Sequence, residues 1–203
     1  NVIAFTLVIT CIGSGMTLSA QGRGAIVKDN SDAMPPPQRT FREAVDIADA
    51  VVVIRILTPG RSEVIDGSAG FRRRNPGVTV ESSPDVVTSY QARIVSVLKA
   101  DASIGVVNAT TKVVQGGGEG EWQGRRVIDK RPFPPLVVGQ DYLVLLNSDE
   151  DLDGLVFDPY QAFEIRNGRI QAGRFTKDTQ YISELLDKRV EDVAVQIREV
   201  PAN

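Results

Sequence analysis

The chain contains no histidine, one cysteine and one tryptophan in 203 residues, and these scarcities exclude a good deal of chemistry. Without histidine there is no side chain whose ordinary pKa lies near neutrality, no imidazole to serve a nucleophilic serine or cysteine, and none of the commonest metal ligand. A single cysteine, Cys11, rules out an intramolecular disulfide and a thiolate zinc site. Neither sign of charge dominates: 23 Lys and Arg stand against 26 Asp and Glu, for a net charge of −3. No global cationic field therefore draws the chain to nucleic acid or anionic lipid, and any such binding would have to be local.

Long apolar runs are also few, and the longest comes first. Residues 2–20, VIAFTLVITCIGSGMTLSA, carry no charge and pass from apolar to small residues at Ala20. This is the pattern of a secretory signal with a small-residue cleavage site; with no initiator Met and no basic n-region, Asn1 is not expected to be the true start. The alternative is an uncleaved membrane anchor, which Gly13, Ser14, Gly15 and Ser19 dilute. Cys11 makes a poor lipidation site, because Val8-Ile9-Thr10 lacks the small residue wanted just before it. The expectation is an exported protein, secreted or periplasmic, held at a membrane only if residues 2–20 remain. Cleaved after Ala20, it would have no cysteine and would suit an oxidising compartment without using it.

Residues 21–39, with Gly, Asp, Ser and three consecutive prolines at 35–37, show no apolar period and read as a disordered leader. A single domain is expected over 40–203. Thr40-Phe41-Arg42-Glu43 fits a capping box, and Phe41, Ala44, Val45 and Ala48 share one face of the short helix it starts. Ala50–Leu57 is a β-branched strand, apolar on both faces until Arg55, and Thr58-Pro59-Gly60 stops it. Residues 61–85 turn to Gly, Ser, Arg and Pro and read as a mobile excursion carrying Phe71-Arg72-Arg73-Arg74.

A long strand follows over Val86–Ala100. Tyr90, Ala92 and Ile94 keep one parity, Val95 and Val97 the other, so a β-bulge is expected near Ile94. Val106–Gln115 is a third strand, Gly116–Gly124 a flexible loop and Arg125–Ile128 a short return. Val137–Leu146, VVGQDYLVLL, is a turn at Gly139 feeding a strand buried on both faces. An acidic turn at 148–154 leads to Leu155-Val156-Phe157. The Asn167-Gly168 pair between Ala162–Ile165 and Arg169–Gln171 is the strongest hairpin signal in the chain. From about 179 the period is helical, with a break near Lys188.

Several short strands, one long bent strand and helices at the edges predict a mainly β protein built on a small closed or nearly closed barrel. Ala48–Val53, then Tyr90–Lys99, then Gly116-Gly117 and Val138-Gly139-Gln140-Asp141-Tyr142-Leu143-Val144 resemble, in order, the pattern of netrin-like modules. The chain is most similar to a set of uncharacterised secreted bacterial proteins with that pattern. The resemblance spans about residues 40–170 and implies an OB barrel, the fold of the tissue inhibitors of metalloproteinases, here with a short N-terminal helix and a C-terminal helical segment. Those inhibitors chelate the target's zinc through a cysteine at the mature N-terminus. This chain offers none there, so neither their mechanism nor their disulfides carry over to any residue.

Four constellations stand out as candidate sites. Asp149-Glu150-Asp151-Leu152-Asp153-Gly154 sets oxygen ligands at alternate positions with a glycine sixth, as a calcium loop requires, with the Leu155 carbonyl as a further ligand. The twelfth position is Tyr160 rather than Glu, so an acidic hairpin turn is the stronger reading, and calcium at Asp149, Asp151 and Asp153 the weaker. Gly116–Gly124 fails as a phosphate cradle, having neither Gly-Lys-Ser/Thr nor a following helix. Trp122, with Phe71, Arg72, Arg73 and Arg74, is the candidate partner-binding set. With Arg125, Arg126, Lys130, Arg131 and Phe133 the same arginines resemble a groove for single-stranded nucleic acid, which export and net charge argue against. Asn108-Ala109-Thr110 matches a glycosylation acceptor.

The sequence therefore predicts a non-enzymatic exported protein with no cofactor except, in the weaker reading, calcium. It would bind a protein or an envelope component, not nucleic acid, through loops at one barrel end. A calcium-stabilised structural module, a hydrolase inhibitor without the cysteine wedge and a histidine-free enzyme are the alternatives.

Overall fold

The two stretches with consecutive apolar residues, Ala50–Ile56 and Tyr142–Leu146, lie side by side at the centre of the computed structural model, buried on both faces. The structure describes residues 24–28, 40–100, 107–130, 135–149, 152, 154–157, 161–173 and 180–198. Residues 2–20, and Cys11 with them, lie outside the described residues. The protein is mainly β. Its strands are β1 (Ile26–Lys28), β2 (Ala50–Ile56), β3 (Arg61–Asp66), β4 (Pro84–Ala100), β5 (Thr110–Gly116), β6 (Gly118–Trp122), β7 (Arg125–Asp129), β8 (Asp141–Asp149), β9 (Gly154–Val156), β10 (Ala162–Arg166) and β11 (Arg169–Gln171). The helices are α1 (Phe41–Ile47), α2 (Ala69–Arg74), α3 (Ile182–Leu185) and α4 (Val190–Arg198).

Backbone pairing runs from β8 to β2, β4, β5 and β9, and β9 returns to β8, so these strands form a closed ring. Neighbours in the ring are antiparallel except β5 and β9, which are parallel. Because side chains alternate along a strand, β2 and β8 divide their apolar residues between two cores. Val52, Ile54, Ile56, Val144 and Leu146 point into the ring with Tyr90, Val113 and Phe157. Val51, Val53, Leu143 and Leu145 point outward, where α1, α3 and α4 cover them through Phe41, Val45, Leu185 and Val193. Tyr181 sits between Phe41 and Phe163, with ring centroids 5.9 and 6.1 Å away.

The helix layer is fastened at both ends of α1, at the first as the sequence predicts. The capping box is present: Glu43 N–H donates to Thr40 Oγ1 at 3.1 Å and Thr40 N–H to Glu43 Oε2 at 3.3 Å. At the other end of α1, Lys99 Nζ donates to the carbonyls of Val45 and Ala48, both at 2.7 Å, which satisfies acceptors that a helix terminus leaves open. Asn167 and Gly168 turn the β10–β11 hairpin with φ of 53° and 72°. The break in the C-terminal helical segment falls at residues 186–189: Asp187 has φ of 60°, Asp187 N–H donates to the Ile170 carbonyl, and Ile170 N–H donates to that of Lys188.

The bulge in β4 is real and double. Its register against β2 shifts between Val51 and Val52 and again between Val53 and Ile54. The pairs on either side leave Leu98 and Val95 as the extra residues. Val95 is the correction: it is 37% exposed, and Leu98 instead turns to the helix layer while Val97 packs into the ring. A bulged residue drops out of alternation, so parity counting misassigns it.

Three further expectations are overturned. The stretch 61–85 is an ordered arm: β3 pairs antiparallel with the first part of β4, from Arg61↔Ser89 to Asp66↔Pro84, and α2 follows. The predicted glycine loop is strand β6, joined to β7 by a turn in which Gln123 and Gly124 have φ of 50° and 71°. Glycine serves there for close approach. A Cβ on Gly118 would lie 2.4 Å from Ser62 Oγ, and one on Gly120 2.6 Å from Val64 Cγ2, so β6 crosses β3 where no side chain fits. Finally, the leader contributes strand β1, parallel to β7 through Ile26↔Val127, Val27↔Ile128 and Lys28↔Asp129. The third strand, expected from Val106, begins at Thr110 after a turn at 107–108.

Candidate functional site

The arm and the ring enclose a cleft of about 570 Å³. One wall is α2, presenting Phe71, Arg73 and Arg74; the facing wall is the hairpin between β8 and β9, presenting Asp149, Leu152 and Val156; Val87 and Val114 form the floor. Each wall has a local cause. Asp66, at the end of β3, accepts from Ser68 N–H at 3.1 Å and from Ser68 Oγ at 2.7 Å, and pairs with the Arg72 guanidinium. Ser68 Oγ donates in turn to the Glu81 carbonyl at 3.0 Å, closing the arm on itself. The Ser68 hydroxyl and then Arg72 hold the Asp66 carboxyl well below the usual carboxylate range. On the facing wall, Lys112 Nζ donates to the Leu152 carbonyl at 2.8 Å and so ties the acidic turn to β5.

The residues proposed from sequence divide accordingly. Phe71, 46% exposed, with Arg73 and Arg74, lines the cleft. Arg72 belongs to the arm, its guanidinium spent on Asp66 and on Ser68 Oγ at 2.7 Å. Trp122 is half-buried at the end of β6, opposite Arg125, and is not among the described residues that line the cleft. Arg125 donates to the Gly24 carbonyl at 3.2 Å and Arg126 pairs with Glu119 at 2.5 Å, both on the small sheet of β1, β7 and β6. The basic and aromatic residues thus occupy two places instead of one groove. Arg131 and Phe133 lie outside the described residues.

Of the calcium loop, Asp149 is the last residue of β8 and Gly154 the first of β9, and the two are paired. Asp151, Asp153 and Tyr160 lie outside the described residues, and among the described residues no group of three acidic or sulfur ligands is placed to hold a metal. Asp149 also lines the cleft, with Arg73 and Arg74. Sequence reasoning missed the cleft's apolar side: Val87, Val114 and Val156 read as ordinary strand residues, and Ile65 as part of the excursion at 61–85. That they surround one opening follows only from the pairing of β3 with β4 and of β9 with β5.

No protein-family model matches the chain, and no curated protein matches it.

Proposed function

We propose that this chain is an exported, non-enzymatic binding protein that engages a protein or an envelope component through the cleft between α2 and the β8–β9 turn. The observation that carries the reading is the convergence, on one cleft, of an exposed aromatic ring, two arginines and three aspartates (Asp66, Asp85 and Asp149) beside apolar strand residues. Such a surface suits an extended partner that buries an apolar group against Phe71 and carries charge along both walls. Export is inferred from the uncharged run at 2–20 ending in Ala20.

We also read the ring as an OB-type barrel akin to the netrin-like module. Two features support this: the ring order β2-β4-β5-β9-β8, and the single parallel contact, which falls between its third and last strands in sequence. In a barrel of that type the outer face of the second and third strands, flanked by the first and last interstrand connections, is the usual ligand surface, and the arm, the β4–β5 floor and the acidic turn correspond to those parts. The inhibitory cysteine wedge has no counterpart, so the family's zinc chelation forms no part of the proposal.

The test is co-sedimentation of the purified chain with isolated envelope fractions, alongside a surface-immobilised panel of the proteins extracted from them. Wild type should be retained by one fraction or one partner. The triple variant Phe71→Ala, Arg73→Glu, Arg74→Glu should lose at least a tenfold share of that affinity, as loss of a central anchor does. Equal retention of the variant refutes the location; no retention of wild type by any fraction refutes the partner class.

A further inference from the structure

A second cavity, of about 410 Å³, opens where β2 leaves the ring and the Pro135–Gly139 turn enters β8. We propose that it binds a small uncharged ligand that carries a carbonyl or amide oxygen on an aliphatic body, held by the side-chain amide of Gln115. The two clefts share Gly116, but β5 sends Val114 to the arm cleft and Gln115 to this one, so neither proposal depends on the other.

Gln115 is the reason for the assignment. It is 4% exposed, and a buried amide ordinarily has its donors and acceptor satisfied. The one hydrogen bond its side chain makes with the described residues comes to Oε1 from the Tyr90 hydroxyl at 3.4 Å, which leaves the Nε2 protons with no acceptor among them. The atom is not sealed in, since Gln115 lines the cavity. The side-chain hydroxyls nearby are occupied within the protein. Ser62 Oγ and Thr88 Oγ1 meet at 2.8 Å, Thr88 Oγ1 donates to the Gly117 carbonyl at 2.7 Å, and Leu136 N–H donates to the Tyr90 hydroxyl at 3.3 Å. An unmatched N–H pair in a wall whose hydroxyls are already engaged asks for an acceptor.

The remaining lining sets the rest of the ligand. Pro59, Pro135, Leu136 and Val138 supply aliphatic surface, and none of the described lining residues bears a charge. A charged ligand would lose hydration here without a partner, whereas an amide loses little beyond what Gln115 returns. The volume falls in the range of about 300–1,000 Å³ common to small-molecule sites.

Two-dimensional ¹H–¹⁵N NMR on the whole chain tests this directly, because the Gln115 side-chain amide gives its own pair of signals. N-acetyl-proline N-methylamide and N-acetyl-leucine N-methylamide are the probes, and the free acid N-acetylleucine is the charged comparator. The neutral probes should move the Gln115 amide pair and the Val138 backbone signal saturably, and the acid should not. Gln115→Leu, read on Val138, should weaken binding roughly tenfold, the worth of one hydrogen bond. Val138→Asp, at a half-exposed position that can change without disturbing the core, should abolish it. Absence of any saturable shift up to the solubility of the neutral probes overturns the site. Equal binding of the acid overturns the ligand class, and binding unchanged in both variants overturns the assignment to Gln115 and this cavity.

Discussion

Leu145 and Leu146 are consecutive residues of one strand, and both are fully buried. In a sheet with one solvated face, one of two neighbours would be dispensable; here Leu145 packs under the helices and Leu146 inside the ring. Truncating either to alanine removes three carbon groups, worth about 2.4 kcal/mol at ~0.8 kcal/mol for each, before any cavity is counted. The unrelaxed cavity raises the expected loss to about 3–5 kcal/mol, since the strand is pinned in the middle of the sheet by β2 across Val51↔Leu145 and Ala50↔Leu146. For a chain of this size that is a fall in Tm of roughly 6–20 °C for each single variant. Urea unfolding followed by circular dichroism should show both midpoints moving while the slope stays constant. The double variant should lose close to the sum, because the two side chains occupy different cores. If either single variant stays within about 0.5 kcal/mol of wild type, β8 is not buried on both faces and the two-core description fails.

Three other outcomes follow from the geometry. Gly120→Ala should destabilise by about 1–3 kcal/mol through collision with Val64, and adding Val64→Ala should recover most of the loss in a double-mutant cycle. Asp66, held down by the Ser68 hydroxyl and then Arg72, and Asp49, held down by Ser148 N–H and then its hydroxyl, both titrate in the folded state below their unfolded pKa. Their contribution to stability is therefore present above about pH 4 and lost as pH falls through the lowered values. Asp66→Asn with Asp49→Asn should flatten the decline of the urea midpoint between about pH 4 and pH 2; an unchanged acid limb would show that other carboxylates govern it. Millimolar calcium, followed by chelation, should leave the melting temperature unmoved if 149–154 is only an acidic turn, whereas a reversible rise would establish the weaker reading, with Asp149, Asp151 and Asp153 as ligands.

The parts of the fold legible in sequence are those whose cause is local. The capping box at Thr40 and Glu43, the Asn167-Gly168 turn and the doubly apolar strands are each specified within a few residues. So is the change of parity after Ile94, although which residue would be squeezed out was decided by the register against β2. The illegible parts depend on distant neighbours. Gly118 and Gly120 read as loop residues because the Ser62 and Val64 that demand their smallness lie in another element. Ile26–Lys28 is too short to declare itself as a strand, and its partner is β7. For the candidate site, Phe71 and its arginines stand out in the sequence by composition; their separation from Trp122, and the diversion of Arg72 to Asp66, required the arm's pairing with β4.

The closed ring also has a temporal side. β2 is made early in the chain, yet one of its edges waits for Asp141–Leu146, and the ring is not shut until Gly154–Val156 reaches β5. While a ribosome or a refolding experiment has delivered only the first half of the protein, Ala50–Ile56 presents apolar side chains on both faces and an unpaired edge. Non-local closure of this kind is slow, and the waiting strand is the segment most prone to pair with a second copy. Dilution should therefore raise the yield of refolding more than it would for a protein of this size built from local hairpins, with Arg55, the lone charge in β2, as the residue that restrains self-association in the interval.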